Sequence, residues 1–201
     1  METQFSDRVP KRALVAAGLE LMQVGGNPLT RLPAKGPALL YAMPDGSTVR
    51  MRTCNDHILV VVAEHPKPGA ALNVEGTDYV LLVMPETPRR SGPVTAYLVP
   101  TQEIVDAARE SHRQWLASNP NTNGHNVTWN LWFDEDGRAG RPHAGFARKW
   151  ERYKLAGLRN LAAVPPQTSN NLTDVVAEAR RHIAAAAGVP VTAVRIAIDM
   201  P

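Results

Sequence analysis

The sequence predicts a mixed α/β domain in which helices flank a central β-sheet and a C-terminal helix–strand appendage follows. Three observations predict it. A helix-period segment at 7–24 precedes a row of strand-like runs between 38 and 99, a second helical segment follows at 101–117, and a capped helix with a strand-like run closes the chain. With 201 residues, 44% of them hydrophobic and 20% charged, the chain has the composition of one ordinary globular domain plus a small addition. The boundary falls in the linker-like stretch 162–170 with Pro165-Pro166, giving a domain at 1–160 and an appendage at 161–201.

The first helix has Asp7 as its cap, Pro10 near its first turn, and Leu14, Gly18, Leu21 and Met22 on one face; Gly25-Gly26-Asn27-Pro28 stops it. The run 38–43, the turn Pro44-Asp45-Gly46-Ser47 and the run 48–53 read as a β-hairpin. Alternation along its second strand puts Thr48, Arg50 and Arg52 on one face and Val49, Met51 and Thr53 on the other. Runs at 57–64 and 78–84 have the continuous apolar character of strands covered on both faces, and 94–99 adds a further strand. Together, 38–99 is expected to form the central sheet, with Leu40, Leu59, Val61, Leu81, Val83 and Leu98 in the core.

Thr101 is the expected N-cap of the helix at 101–117, which carries Ile104, Val105, Ala108, His112 and Trp115 near one face. After an Asn-rich loop, Val127, Trp129, Leu131 and Phe133 alternate with polar positions as in a short strand, and Asp134–Gly137 reads as a turn. A helix is expected over 146–158. In the tail, Thr173 caps a helix to about 187, Gly188 ends it, Pro190 follows, and 191–198 reads as a strand. That strand needs a partner edge, either in the domain's own sheet or in a second subunit or another protein.

Cys54 is the single cysteine, so neither an internal disulfide nor a Cys-rich zinc site is available, which points to a cytoplasmic setting. The polar segment 1–7 and the shortness of the longest apolar run, His57–Ala63, predict no membrane span. The six histidines have no ligand spacing, and there is neither a phosphate-cradling glycine loop nor a nucleophile elbow, so no metal and no cofactor is expected. Cys54 and His57 lie three apart on a strand-like run, which turns their side chains to opposite faces unless a turn intervenes. Trp129 and Trp132 read as core aromatics, with base stacking as the alternative.

Net charge is only +3, yet between Arg138 and Arg159 seven basic residues stand against one acid, Glu151. On a continuous helix Arg148, Arg152 and Arg159 share a face with Lys149 beside them, a strip suited to phosphates or simply to solvent.

The strand at 78–84, the strand ending in Pro at 94–100, the helix bearing Ser111-His-Arg-Gln-Trp-Leu116 and the later Lys149-Trp-Glu-Arg-Tyr153 together resemble the PD-(D/E)XK, or restriction-endonuclease-like, superfamily, over about residues 10–158. Active members carry an Asp at the start of one strand and Glu or Gln, any residue, and Lys on the next. Here Arg50-Met51-Arg52 occupies the second position, and guanidinium groups can neither ligate Mg²⁺ nor accept a proton. Asp45 completes a "PD" but belongs to the hairpin turn, and Glu20, Glu75, Asp78 and Asp56 read as caps, loop charges or ion-pair members. The resemblance therefore implies a non-catalytic nuclease-fold protein that binds nucleic acid through Arg50, Arg52, Arg148, Lys149, Arg152 and Lys154. The alternatives are a protein-interaction or regulatory module, and a divergent metal-dependent nuclease with displaced carboxylates.

Overall fold

The computed structural model describes residues 9–160, apart from 35, 68, 122–124, 136–140, 142 and 157–158, and then residues 176, 180, 183, 184 and 190–196. The chain divides into two compact units, residues 1–163 and 164–201.

In the first unit, helix α1 spans Lys11–Val24. It starts later than the sequence suggested because Pro10, extended at φ −58° and ψ 137°, is its N-cap; Asp7 lies outside the described residues. The Pro10 carbonyl accepts from the Ala13 amide at 2.9 Å, and Gly26, at φ 79°, takes the left-handed backbone that ends the helix. Strands β1 (Thr30–Arg31), β2 (Leu39–Ala42) and β3 (Thr48–Thr53) follow. The β2–β3 turn is the expected one: the Ser47 amide donates to Asp45 Oδ1 at 2.9 Å, and Gly46 sits at φ 87°.

Next come β4 (Ile58–Val62), β5 (Tyr79–Pro85) and β6 (Pro93–Pro100), then α2 (Thr101–Ser118), β7 (Thr128–Trp132), α3 (Phe146–Lys149) and β8 (Arg159–Asn160). The main sheet has the order β1-β2-β3-β5-β6-β8, and β4 pairs instead with β7 in a separate two-stranded ribbon. The expectation that all of 38–99 feeds one sheet is thus corrected at β4. The reason is topological. β3 and β5 are parallel, with Met51 opposite Leu81, so a crossover must join them, and β4 with the loop after it is that crossover. Its Ile-Leu-Val-Val-Val sequence looks covered on both faces, yet Val60 is 38% exposed while Leu59 and Val61 are buried.

The main sheet separates two cores. On one face, Leu14, Ala17, Leu21 and Met22 of α1 pack on Val49, Met51, Leu81 and Val83. On the other, Val80, Leu82, Tyr97 and Val99 meet Ile104, Val105 and Ala108 of α2, and Leu59, Val61, Leu131 and Phe133 of the ribbon and its end. Leu40 and Leu98, expected in the core, are only half-buried.

Two further helix boundaries depart from the sequence reading. Thr101 is the first residue of α2 rather than its cap; β6 runs straight into the helix through Pro100, and the Thr101 amide donates to Asp78 O at 2.9 Å. The helix expected over 146–158 stops after one turn at Lys149. A 3₁₀ turn at Glu151–Tyr153 follows, and Lys154 then bridges to Tyr97 of β6. Trp150 and Tyr153 pack towards the core here, and joining β6 takes precedence over continuing the helix.

In the second unit, residues 176, 180, 183 and 184 are helical, and the rest of the helix expected at 173–187 lies outside the described residues. Val191–Ala193, read from sequence as the start of a strand, form a 3₁₀ turn, and no strand occurs at 194–196. The Ala193 amide donates to the Pro190 carbonyl at 2.9 Å, so Pro190 starts this turn. Residues 197 and 198 lie outside the described set. Among the described residues, no helix is long and apolar enough to cross a membrane.

Candidate functional site

Strand alternation places Arg50 and Arg52 on one face of β3, as the sequence predicted, on the side facing β4 and the loop after it. The Arg50 Nη2 donates to Glu75 O at 3.3 Å, and the Arg52 Nη2 donates to Val60 O at 2.9 Å. Each guanidinium has five N–H donors, so among the described residues most of this capacity is uncommitted. Among the described residues, the buried Arg50 Nε has no partner. Neither side chain meets a carboxylate within ion-pair distance among the described residues. Burial, and then the charge of Arg52, pull the Arg50 pKa below the ordinary guanidinium value, though a guanidinium remains cationic throughout the accessible range.

The two arginines line a groove of about 440 Å³ together with Lys11, Ala38, Leu39 and Asn73. The groove exists because β2 begins only at Leu39, opposite Met51, leaving Arg52 and Thr53 without a strand on that side. Among the described residues, no lining residue is acidic. Lys11 and Asn73 were not singled out from sequence. For Lys11 a signal was available: it stands in the first turn of α1, which has no acidic residue, so its charge opposes the helix dipole. For Asn73 there was none, since it is placed by tertiary pairing: its side-chain oxygen accepts from Val62 N at 3.0 Å and its amide donates to Val62 O at 2.8 Å.

The basic residues at 148–154 are arranged differently. They do not share a helical face, because the helix is interrupted, and each is engaged. Arg148 pairs with Glu135 at 2.9 Å, Arg152 with Glu103 at 3.0 Å and Lys154 with Glu151 at 3.5 Å; Lys149 donates to Ala144 O at 2.8 Å over the Phe146 ring. Their fields are largely compensated locally, unlike those of Arg50 and Arg52.

Of the carboxylates considered for a displaced metal site, Asp78, Glu75 and Asp56 have structural partners. Asp78 Oδ2 accepts from both the Thr48 amide and the Thr48 hydroxyl at 2.7 Å, bonds that hold its carboxyl below the usual range. Glu75 pairs with Arg109 at 3.0 Å, and Asp56 pairs with Arg89. Among the described residues, no three His, Cys, Asp or Glu side chains are grouped to hold a metal.

Cys54 and His57 do not form a nucleophile pair. A turn does intervene, with the His57 amide donating to Cys54 O at 3.0 Å, but the imidazole points elsewhere. Its Nδ1 meets Asp134 Oδ1 at 2.8 Å and its Nε2 meets the Pro85 carbonyl. The Cys54 thiol is buried, and burial pushes its pKa up to about 12, so it stays protonated and unreactive at neutral pH.

A second, smaller cavity of about 180 Å³ lies between α2 and β7, lined by His112, Trp115, Trp129, Asn130, Trp132 and His143 among others. His112 stacks on Trp129, with ring centroids 4.2 Å apart and an interplanar angle of 16°, and lies nearly parallel to Trp115 at 6.0 Å and 15°. Burial lowers the His112 pKa, favouring the neutral ring in this stack. Trp129 is half-buried, so it belongs partly to the core and partly to this cavity.

No protein-family model, curated protein or solved structure matches the chain.

Proposed function

We propose that this chain is a non-catalytic protein of restriction-endonuclease-like fold, working in the cytoplasm, that binds nucleic acid along the groove beside β3. The observation that carries the reading is the groove itself: Lys11, Arg50 and Arg52 line one concavity with no acid among its described residues. Two guanidiniums adjacent on one strand face repel each other, and a phosphate between them removes that cost while filling their vacant donor positions. The same residues stand where the resemblance would require Glu or Gln and Lys, so anion binding replaces metal binding at that position. The compensated residues Arg148, Lys149, Arg152 and Lys154 are secondary contacts at most in this reading.

The test is the salt dependence of oligonucleotide binding. Removing one phosphate contact reduces the log–log slope by roughly one unit. Arg50→Ala/Arg52→Ala is expected to lower the affinity and to reduce the slope by about two such units, while Arg152→Ala/Lys154→Ala changes the slope by less than about one. Equal binding by the wild type and the Arg50/Arg52 variant, with both folded by circular dichroism, rejects the groove. A variant that fails to fold is replaced by Arg50→Gln/Arg52→Gln, which keeps polar side chains of similar reach and removes the charges.

A further inference from the structure

The β4–β7 ribbon has two edges, and a different site lies along each. Hydrogen bonds from Phe133 N to His57 O and from Ala63 N to Val127 O set the alternation of the pairing. Trp129 and Leu131 of β7 and the flanking Val127 and Phe133 turn their backbone groups towards β4, and Thr128, Asn130 and Trp132 turn theirs away. The Thr128 amide finds the Asn126 side chain at 2.9 Å and the Trp132 amide finds His143 O at 2.7 Å. Between them, Asn130 lines the His112/Trp115/Trp129 cavity, and its backbone N–H and C=O, turned away from β4, have no partner among the described residues. At the opposite edge, β4 offers its outward groups to the groove: Val60 O accepts from Arg52, and Val62 pairs with Asn73. Val60 and Asn130 are directly opposed across the ribbon and both are exposed. Only one strand spacing, about 4.8 Å, separates β4 from β7.

We infer that a single strand of nucleic acid crosses the exposed face of this ribbon, with its backbone at Arg50 and Arg52 and one unstacked base seated in the cavity between α2 and β7. The inference rests on the groove reading above and gives it a substrate class, single-stranded rather than duplex. The cavity is smaller than the roughly 300–1,000 Å³ of ordinary small-molecule sites, which leaves room for one ring system. His112 already covers one face of Trp129, and the remaining faces of the half-exposed Trp115 and Trp129 indoles supply stacking surface that any base can use. The Asn130 N–H and C=O provide an adjacent donor and acceptor, the pattern a base edge presents. Among the described residues, no lining residue is a carboxylate, lysine or arginine, which suits a neutral base and leaves the phosphates to the other edge.

The experiment titrates the full chain with four probes: a single-stranded oligonucleotide, the same strand without bases, its duplex, and inorganic tripolyphosphate. Tryptophan emission and affinity are read for each. The base-bearing single strand is expected to quench tryptophan emission and to bind tighter than the abasic strand and the duplex by roughly 5- to 150-fold, the range that one stacked base supplies. Trp115→Ala, at a half-exposed position, is expected to remove that advantage without altering the salt slope; His112→Ala serves if that variant is unfolded. Equal binding of base-bearing and abasic strands, or a folded Trp115→Ala that binds normally, overturns the seated base but leaves the groove standing if Arg50→Ala/Arg52→Ala still lowers the slope. Absence of binding by every polyanion at low salt rejects the groove and the inference together. Preference for an extended peptide, with no oligonucleotide binding, assigns the open Asn130 edge to strand addition and equally overturns the inference.

Discussion

Burial decides the chemistry of Cys54 and His57, and each gives a measurable consequence. The folded Cys54 thiol titrates near 12 against 9.0 for the free group. The folded state therefore retains a proton that the unfolded state loses, so this stabilisation is complete below pH 9 and declines as the pH rises towards 12. The slope from this group approaches about 1.4 kcal/mol per pH unit. Urea unfolding between about pH 8 and 10.5 is expected to show a shallower alkaline loss in Cys54→Ala than in the wild type; parallel curves would remove Cys54 as a cause. For His57, truncation to Ala is expected to cost about 2–3 kcal/mol, because it strands the Pro85 carbonyl, orphans Asp134 and opens a cavity. A loss below about 1 kcal/mol would show that the bridge is not stabilising. The sequence exposed Arg50 and Arg52 because strand alternation is a local rule. It could not expose the pairing of His57 with Asp134, 77 residues apart, or the arrival of Asn73 beside Arg52, since neither leaves a local pattern.

Packing between elements is most constrained where α1 crosses β5. A Cβ at Gly18 would lie 2.7 Å from Val83 Cγ2 and 3.3 Å from Met51 Cε, and both neighbours are buried. Gly18→Val is expected to destabilise the protein by about 1–3 kcal/mol through overpacking, read as a lowered urea midpoint at unchanged m-value. Gly18→Val combined with Val83→Ala is expected to recover part of that loss, since the smaller side chain vacates the contact; no recovery would mean that the helix position is set elsewhere. Gly18 was legible in the sequence as a member of the buried face, although not as the point of closest approach. The elements that misled the reading share one physical cause. The helix expected at 146–158 and the sheet membership of 57–64 were both inferred from local pattern, and both were decided by partners distant in sequence. Tyr97 takes Lys154 into a bridge, and Trp132 to Thr128 take Ile58 to Val62 out of the main sheet.

At the scale of the whole first unit, β5 couples two cores that lie on opposite faces of the main sheet. Leu81 points into the α1 core and Leu82, its neighbour, into the α2–ribbon core. All four tryptophans, at 115, 129, 132 and 150, belong to α2, β7 or the segment after α3, on the second side, and none is in α1 or its core. Tryptophan emission is thus a reporter of one layer, while far-UV circular dichroism reports both. If the shared strand makes the unit fold as one, Leu14→Ala, made wholly within the α1 core, should lower the stability by roughly 2–5 kcal/mol and move the emission and circular dichroism midpoints together. Leu82→Ala should produce a loss of the same order from the other side. Should Leu14→Ala shift circular dichroism while the tryptophan transition stays in place, the two layers unfold separately. In that case the ribbon and its cavity would stand without α1, and Lys11, which α1 brings to the groove, would be the first of the three cations to leave it.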